Sequence, residues 1–149
     1  MENQVMVLKD LIKINNDRIE GYKKAAENFK DNDIKLLTLF NQFATESQRN
    51  RQVLTNQVER LGEINNEGTT MSGKIYRTWM DIKATFGGDD AKGILESCER
   101  GEDAAKKAYE TAIESGYLDT QSLSVIIDQQ QNQLQSHDQI KMLRDQYKN

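Results

Sequence analysis

The stretch Ser124–Tyr147, SVIIDQQQNQLQSHDQIKMLRDQY, decides how the rest of the chain is read. On a helical period of about 3.6 residues, its inward line runs Ile126 or Ile127, Gln130, Gln133 or Leu134, His137, Ile140, Arg144 and Tyr147. A helix normally turns an apolar stripe inward, and this line is polar at its centre. It also carries the one histidine of the chain. Polar groups removed from water cost free energy unless they find partners. The stretch therefore predicts matching polar groups at the same height on other helices.

Three further stretches show the same patterning. From Asn3 to Lys30 the line is Val5, Leu8, Ile12, Asn15, Ile19, Tyr22, Ala26 and Phe29, broken only at Asn15. Asp31-Asn32-Asp33 ends that helix and caps the next, which runs to Leu61 ahead of Gly62. Its line is Leu36, Leu39, Phe43, Glu46, Asn50 and Val53, widened by Phe40, Leu54, Val58 and Leu61. A third helix, capped by Asp89 or Asp90 and running to about Ser115, presents Ala91, Leu95, Cys98, Glu102, Ala105, Tyr109 and Ala112. Gly116 closes it, and Asp119 or Thr120 caps the fourth.

The links set the topology. The first and third are short, so each joins antiparallel neighbours. The second, Glu63 to Gly88, is long enough to cross the bundle. It opens with the polar run EINNEGTTMSG and continues as KIYRTWMDIKATF, where Ile75, Trp79, Ile82 and Phe86 are spaced as a short amphipathic helix. The expected architecture is an all-α, ferritin-like four-helix bundle: two antiparallel hairpins joined by a long crossover with a short extra helix. With 149 residues it is expected to form one domain, 1–149.

Bulk properties narrow the function. Proline is absent, which suits long helices, and 36% hydrophobic with 30% charged residues suits one buried stripe per helix. A net charge of −4 with no basic face argues against nucleic-acid or anionic-membrane binding. One cysteine, Cys98, excludes an internal disulfide, and it reads as a small buried hydrophobe. The start, MENQVMVLKDLIKINNDR, lacks a basic region followed by an apolar core. No apolar run approaches the ~18 residues of a membrane span. A soluble, cytoplasmic protein is expected. There is no glycine-rich phosphate loop, no Ser-His-Asp set and no CxxC.

Each inward stripe has a polar interruption: Asn15, Glu46, Glu102 and His137. Their placing resembles the ferritin-like di-metal proteins, in which two helices each give one Glu and two each give Glu-x-x-His. In the first helix, LKDLIKINNDRIEGY puts Asn15 where the family has a ligand Glu seven residues before a Tyr, here Tyr22. In the second, Glu46-Ser47-Gln48-Arg49 replaces the histidine by Arg49. Glu102 matches the third-helix Glu, and Leu134-Gln135-Ser136-His137 replaces the last Glu by Leu134. The resemblance implies ligand types kept at Glu46, Glu102 and His137 and lost at Asn15, Arg49 and Leu134. NNDRIEGYKKAAE, RTW, GEDAAKKAYE and SHDQIKMLRD also resemble an uncharacterised bacterial family of ferritin-like bundles, domain of unknown function 2383. That likeness implies a fold and a link to stress, and no established activity.

Two readings of the polar layer stand side by side. In the first, the protein is a non-enzymatic structural or interaction bundle with no cofactor. His137 then pairs with Glu102 across the third and fourth helices. Arg49, if it turns inward, neutralises Glu46 and Glu102; otherwise it is a surface arginine. The layer then serves to fix helix register, and Glu102→Leu is expected to leave the fold intact. In the second, Glu46, Glu102 and His137 hold Fe, Mn or Zn, singly or as a weak pair, for oxidase, peroxide-detoxifying or storage chemistry. Glu20 reads as a flanking or surface charge. The crossover residues Ile75, Trp79 and Phe86 either pack on the bundle or form the contact of a homodimer or other small homo-oligomer. A third reading makes this crossover face a binding surface for a small molecule or a helical partner.

Overall fold

The computed structural model describes residues 2–29, 33–63 and 91–147. They form α1 (Glu2–Asn28), α2 (Ile34–Arg60), α3 (Ala91–Glu114) and α4 (Thr120–Gln146), with no strand among the described residues. The expected crossover helix with Ile75, Trp79 and Phe86, and the Asp89 or Asp90 cap, lie outside the described residues. Among those described, no helix is long and apolar enough to cross a membrane.

The helix ends follow from their local chemistry. Asp33 accepts the Leu36 N–H at 3.2 Å and Asp119 the Ser122 N–H at 2.9 Å, each supplying a partner to a free first-turn donor. At the end of α2, Gly62 adopts φ +83°. Its N–H reaches the Glu59 carbonyl while that of Glu63 reaches Val58. This is the paired closure that a left-handed residue permits. Gly116, at φ +76°, turns the chain between α3 and α4.

α1 packs beside α2 and α3, and α4 beside α3 and α2, leaving α1/α4 and α2/α3 as diagonals. Asn15 meets Tyr109 and Arg18 meets Glu102, so α1 and α3 are antiparallel. Gln57 meets Ser122 and Asn50 meets Gln129, so α2 and α4 are antiparallel too. α2 and α3 therefore point the same way, and the link between them joins opposite ends of the bundle. This is the expected arrangement of two hairpins.

The interior lines follow a seven-residue repeat more closely than a 3.6-residue one. In α2 the buried Leu36, Phe40, Phe43, Ser47, Asn50, Leu54 and Gln57 follow it, with Ala44 and Val58 buried beside them, whereas Leu39 is half-buried and Val53 is 39% exposed. In α4 they are Ser122, Ile126, Gln129, Gln133, Ser136, His137 and Ile140, so Gln129 takes the place expected for Gln130. In α1 Ala25 is buried in preference to Ala26. α3 keeps the expected line from Leu95 to Ala112. One end of the core is aromatic: Phe40 lies 5.9 Å from Tyr22 and 5.7 Å from Phe29, centroid to centroid.

Phe40 is fully buried. Phe40→Ala should lower the unfolding free energy by about 3–5 kcal/mol. Val53→Ala should cost less than about 1 kcal/mol. Urea denaturation of the two variants checks the interior phase of α2.

Candidate functional site

The central layer is built around a residue that the apolar stripes do not announce. Arg18 of α1 is 1% exposed and makes four hydrogen bonds from its guanidinium. Nε and Nη2 grip Glu102 of α3 side-on, at 3.2 Å to Oε1 and 2.9 Å to Oε2. Nη1 turns to α2, reaching Ser47 Oγ at 2.7 Å and Glu46 Oε1 at 3.3 Å. The guanidinium also lies 5.4 Å from the Tyr22 ring centroid and 5.7 Å from that of Phe43, within cation–π range. One side chain thus ties three helices together.

Glu102 is completely buried, and its carboxylate is saturated. Besides the two Arg18 bonds, Oε2 accepts the Tyr22 hydroxyl and Oε1 accepts Gln133 Nε2 at 2.9 Å. Those four bonds use the roughly four lone-pair sites of a carboxylate. Gln133 Nε2 also meets the Glu102 carbonyl at 2.9 Å. The cation is matched to this anion, and Arg18 is held above its ordinary range. Burial opposes its charge, but Glu102, Tyr22 and Glu46 overcome that. Burial, then Glu102, pushes the Tyr22 phenol and the Cys98 thiol well up, so neither is an activated nucleophile.

Glu46 is the outer member. Burial raises its carboxyl against the pull of Arg18, with Glu102 adding to the rise. It borders an open recess of about 560 Å³ that Thr38, Gln42, Thr45 and Arg49 also line. Arg49 itself is exposed. The expected inward alternative for Arg49 is therefore corrected: the cation between Glu46 and Glu102 is Arg18. Position 49 is one residue short of the buried Asn50, which places its side chain on the solvent flank.

Asn15 belongs to a second polar layer. It donates to the Leu11 carbonyl at 2.8 Å and to the Tyr109 hydroxyl at 3.0 Å, and accepts from Asn50 Nδ2 at 3.3 Å. Tyr109 donates to Gln129 Oε1 at 2.8 Å, and Gln129 donates to the Asn50 carbonyl at 3.2 Å. Burial pushes the Tyr109 phenol up to about 12. All four helices meet here through neutral groups.

His137 leaves the centre. Its Nε2 lies 2.6 Å from Asp103 Oδ1 and its Nδ1 3.1 Å from Asp138 Oδ1. The expected Glu102–His137 pair is not formed. Asp103, the next residue on α3, faces the α3–α4 seam where the imidazole lies. The structure therefore brings Glu46 and Glu102 together through Arg18 and sets His137 apart. Leu134 is half-buried, beside the Gln133 that reaches Glu102. Glu20 is exposed and Cys98 buried, as read from the sequence. Among the described residues, no group of three or more His, Cys, Asp or Glu is placed to hold a metal ion.

Arg18, Ser47, Gln129 and Gln133 were not singled out as site partners by the stripes. The signal for Arg18 is the heptad Leu11–Arg18–Ala25, which sets a guanidinium on a core position.

Glu102→Leu now carries a different expectation, because it strands a buried cation. It should cost about 3–5 kcal/mol, with Arg18→Met/Glu102→Leu regaining most of that loss. A double-mutant cycle by urea denaturation measures the coupling. For His137, burial disfavours its charge, but bonds to Asp138 and Asp103 outweigh burial and raise it above the ordinary 6.5. Its stabilising share is full below the unfolded value and fades as pH rises through the higher folded value. The unfolding midpoint should therefore fall across that interval in the wild type, and this component should vanish in His137→Gln.

No curated protein matches the chain. Residues 3–115, holding Arg18, Tyr22, Glu46, Ser47 and Glu102 but none of α4, match the model described as "Domain of unknown function (DUF2383)". The chain belongs to that family, whose match accords with the four-helix bundle and the ferritin-like resemblance found in the sequence.

Proposed function

We propose that the protein is a non-enzymatic structural or interaction bundle whose degenerate di-metal site has become a closed ionic layer. The observation that carries this reading is the saturation of Glu102 by Arg18, Tyr22 and Gln133. A metal ion there would have to displace one of those donors and share its surroundings with a permanent guanidinium cation. Arg18 supplies the positive charge that a carboxylate cluster otherwise draws from a metal. It also points at both adjoining helices, so the layer sets their relative register. The link to bacterial stress rests on family resemblance. A homodimer or small homo-oligomer in a cytoplasmic setting belongs to the same reading.

The alternative is a mononuclear or weak dinuclear Fe, Mn or Zn site on Glu46, Glu102 and His137. Elemental analysis separates the two. After loading with Fe(II), Mn(II) or Zn(II) and desalting, the expected content is below about a tenth of an equivalent for each metal, since Glu102 already accepts four bonds and His137 pairs elsewhere, with Asp103. About one equivalent per chain, lost in both Glu102→Gln and His137→Ala, would overturn the proposal.

A further inference from the structure

The four helices are not held by the same kind of interaction. α1 buries Val5, Leu8, Leu11, Ile12, Ile14 and Ile19 among other side chains, and α2 and α3 each bury several apolar groups. The buried residues of α4 are Ser122, Ile126, Gln129, Gln133, Ser136, His137 and Ile140, five of the seven polar. Ile126 and Ile140 are its fully buried aliphatics; Leu143 and Tyr147 add partial cover near its end.

Apolar burial is the main net stabiliser, because water offers no substitute for it. A hydrogen bond contributes less, because both partners regain water when parted. Much of the attachment of α4 is therefore by polar contacts that solvent replaces: Gln129 to Tyr109 and Asn50, Gln133 to Glu102, His137 to Asp103, and Arg144 to Glu99. Its seat is also imperfect. Gln133 Oε1 is buried with no hydrogen-bond partner among the described residues, a cost that opening relieves.

The centre does not need α4. Arg18 joins α1 to α3 through Glu102 and α1 to α2 through Ser47 and Glu46. Removing α4 takes one donor, Gln133, from that layer.

We infer that α4 is a detachable helix, which opens as a unit while α1, α2 and α3 stay joined around Arg18. The vacated seat displays the Tyr109 hydroxyl, the Asn50 carbonyl and the inner edge of Glu102.

Hydrogen–deuterium exchange of the full-length wild type, read by mass spectrometry, tests this. Peptides within 122–140 should exchange as one group, with protection at least about tenfold below that of peptides within 5–22. Peptides around Arg18 and Glu102 should keep the higher protection. Protection of 122–140 within about threefold of 5–22, at whatever absolute level, would overturn the inference. So would joint loss of 95–112 with 122–140, since the third helix would then leave with the fourth.

Discussion

A guanidinium taken out of water is the constraint around which this bundle is arranged. An unpaired cation at the position of Arg18 would cost several kcal/mol after relaxation. The surrounding sequence answers that cost in kind: a carboxylate gripped side-on, a hydroxyl from Ser47, a second carboxylate at the edge and two aromatic faces. Each answer restricts another helix. Glu102 must face inward on α3 and Tyr22 must stand one turn along α1, while Gln133 of α4 adds the last bond to the carboxylate. Apolar packing alone tolerates small axial shifts between helices. A bidentate ion pair with saturated acceptors does not, because a shift of one residue would leave a buried charge unpaired.

The core is graded along its length. At the Phe29 and Tyr147 end it is aromatic, with Phe40 and Phe43 against Tyr22. The ionic layer comes next, followed by the neutral layer of Asn15, Asn50, Tyr109 and Gln129. Toward the other end, Gln57 accepts from Ser122 and Arg60, Arg60 pairs with Asp119, and the Gln4 carboxamide accepts the Asp119 N–H. Polar groups at three heights give every helix partners on its neighbours and make alternative alignments costly.

Much of this architecture is legible in the sequence. Asp33, Gly62, Gly116 and Asp119 mark boundaries because each solves a local backbone problem, and local problems leave local signatures. Short and long links fixed which helices lie antiparallel. The inner phase of α3 was also readable, since its line from Leu95 to Ala112 has few competitors. The phase of α4 was not. A polar interior offers no hydrophobic contrast, so Gln129 and Gln130 look alike until the seven-residue repeat is imposed. Arg18 was hidden for a related reason. An isolated arginine in a charged sequence is assigned to solvent, and its burial is explained by partners on other helices, Ser47 and above all Glu102, 84 residues away.

The identity of the central cation has a consequence for how the protein is maintained. A guanidinium is attached to the backbone and stays charged throughout the ordinary pH range. It is not exchanged for a competing ion, withdrawn by a chelator or changed in oxidation state. The positive charge at this layer is therefore fixed at translation.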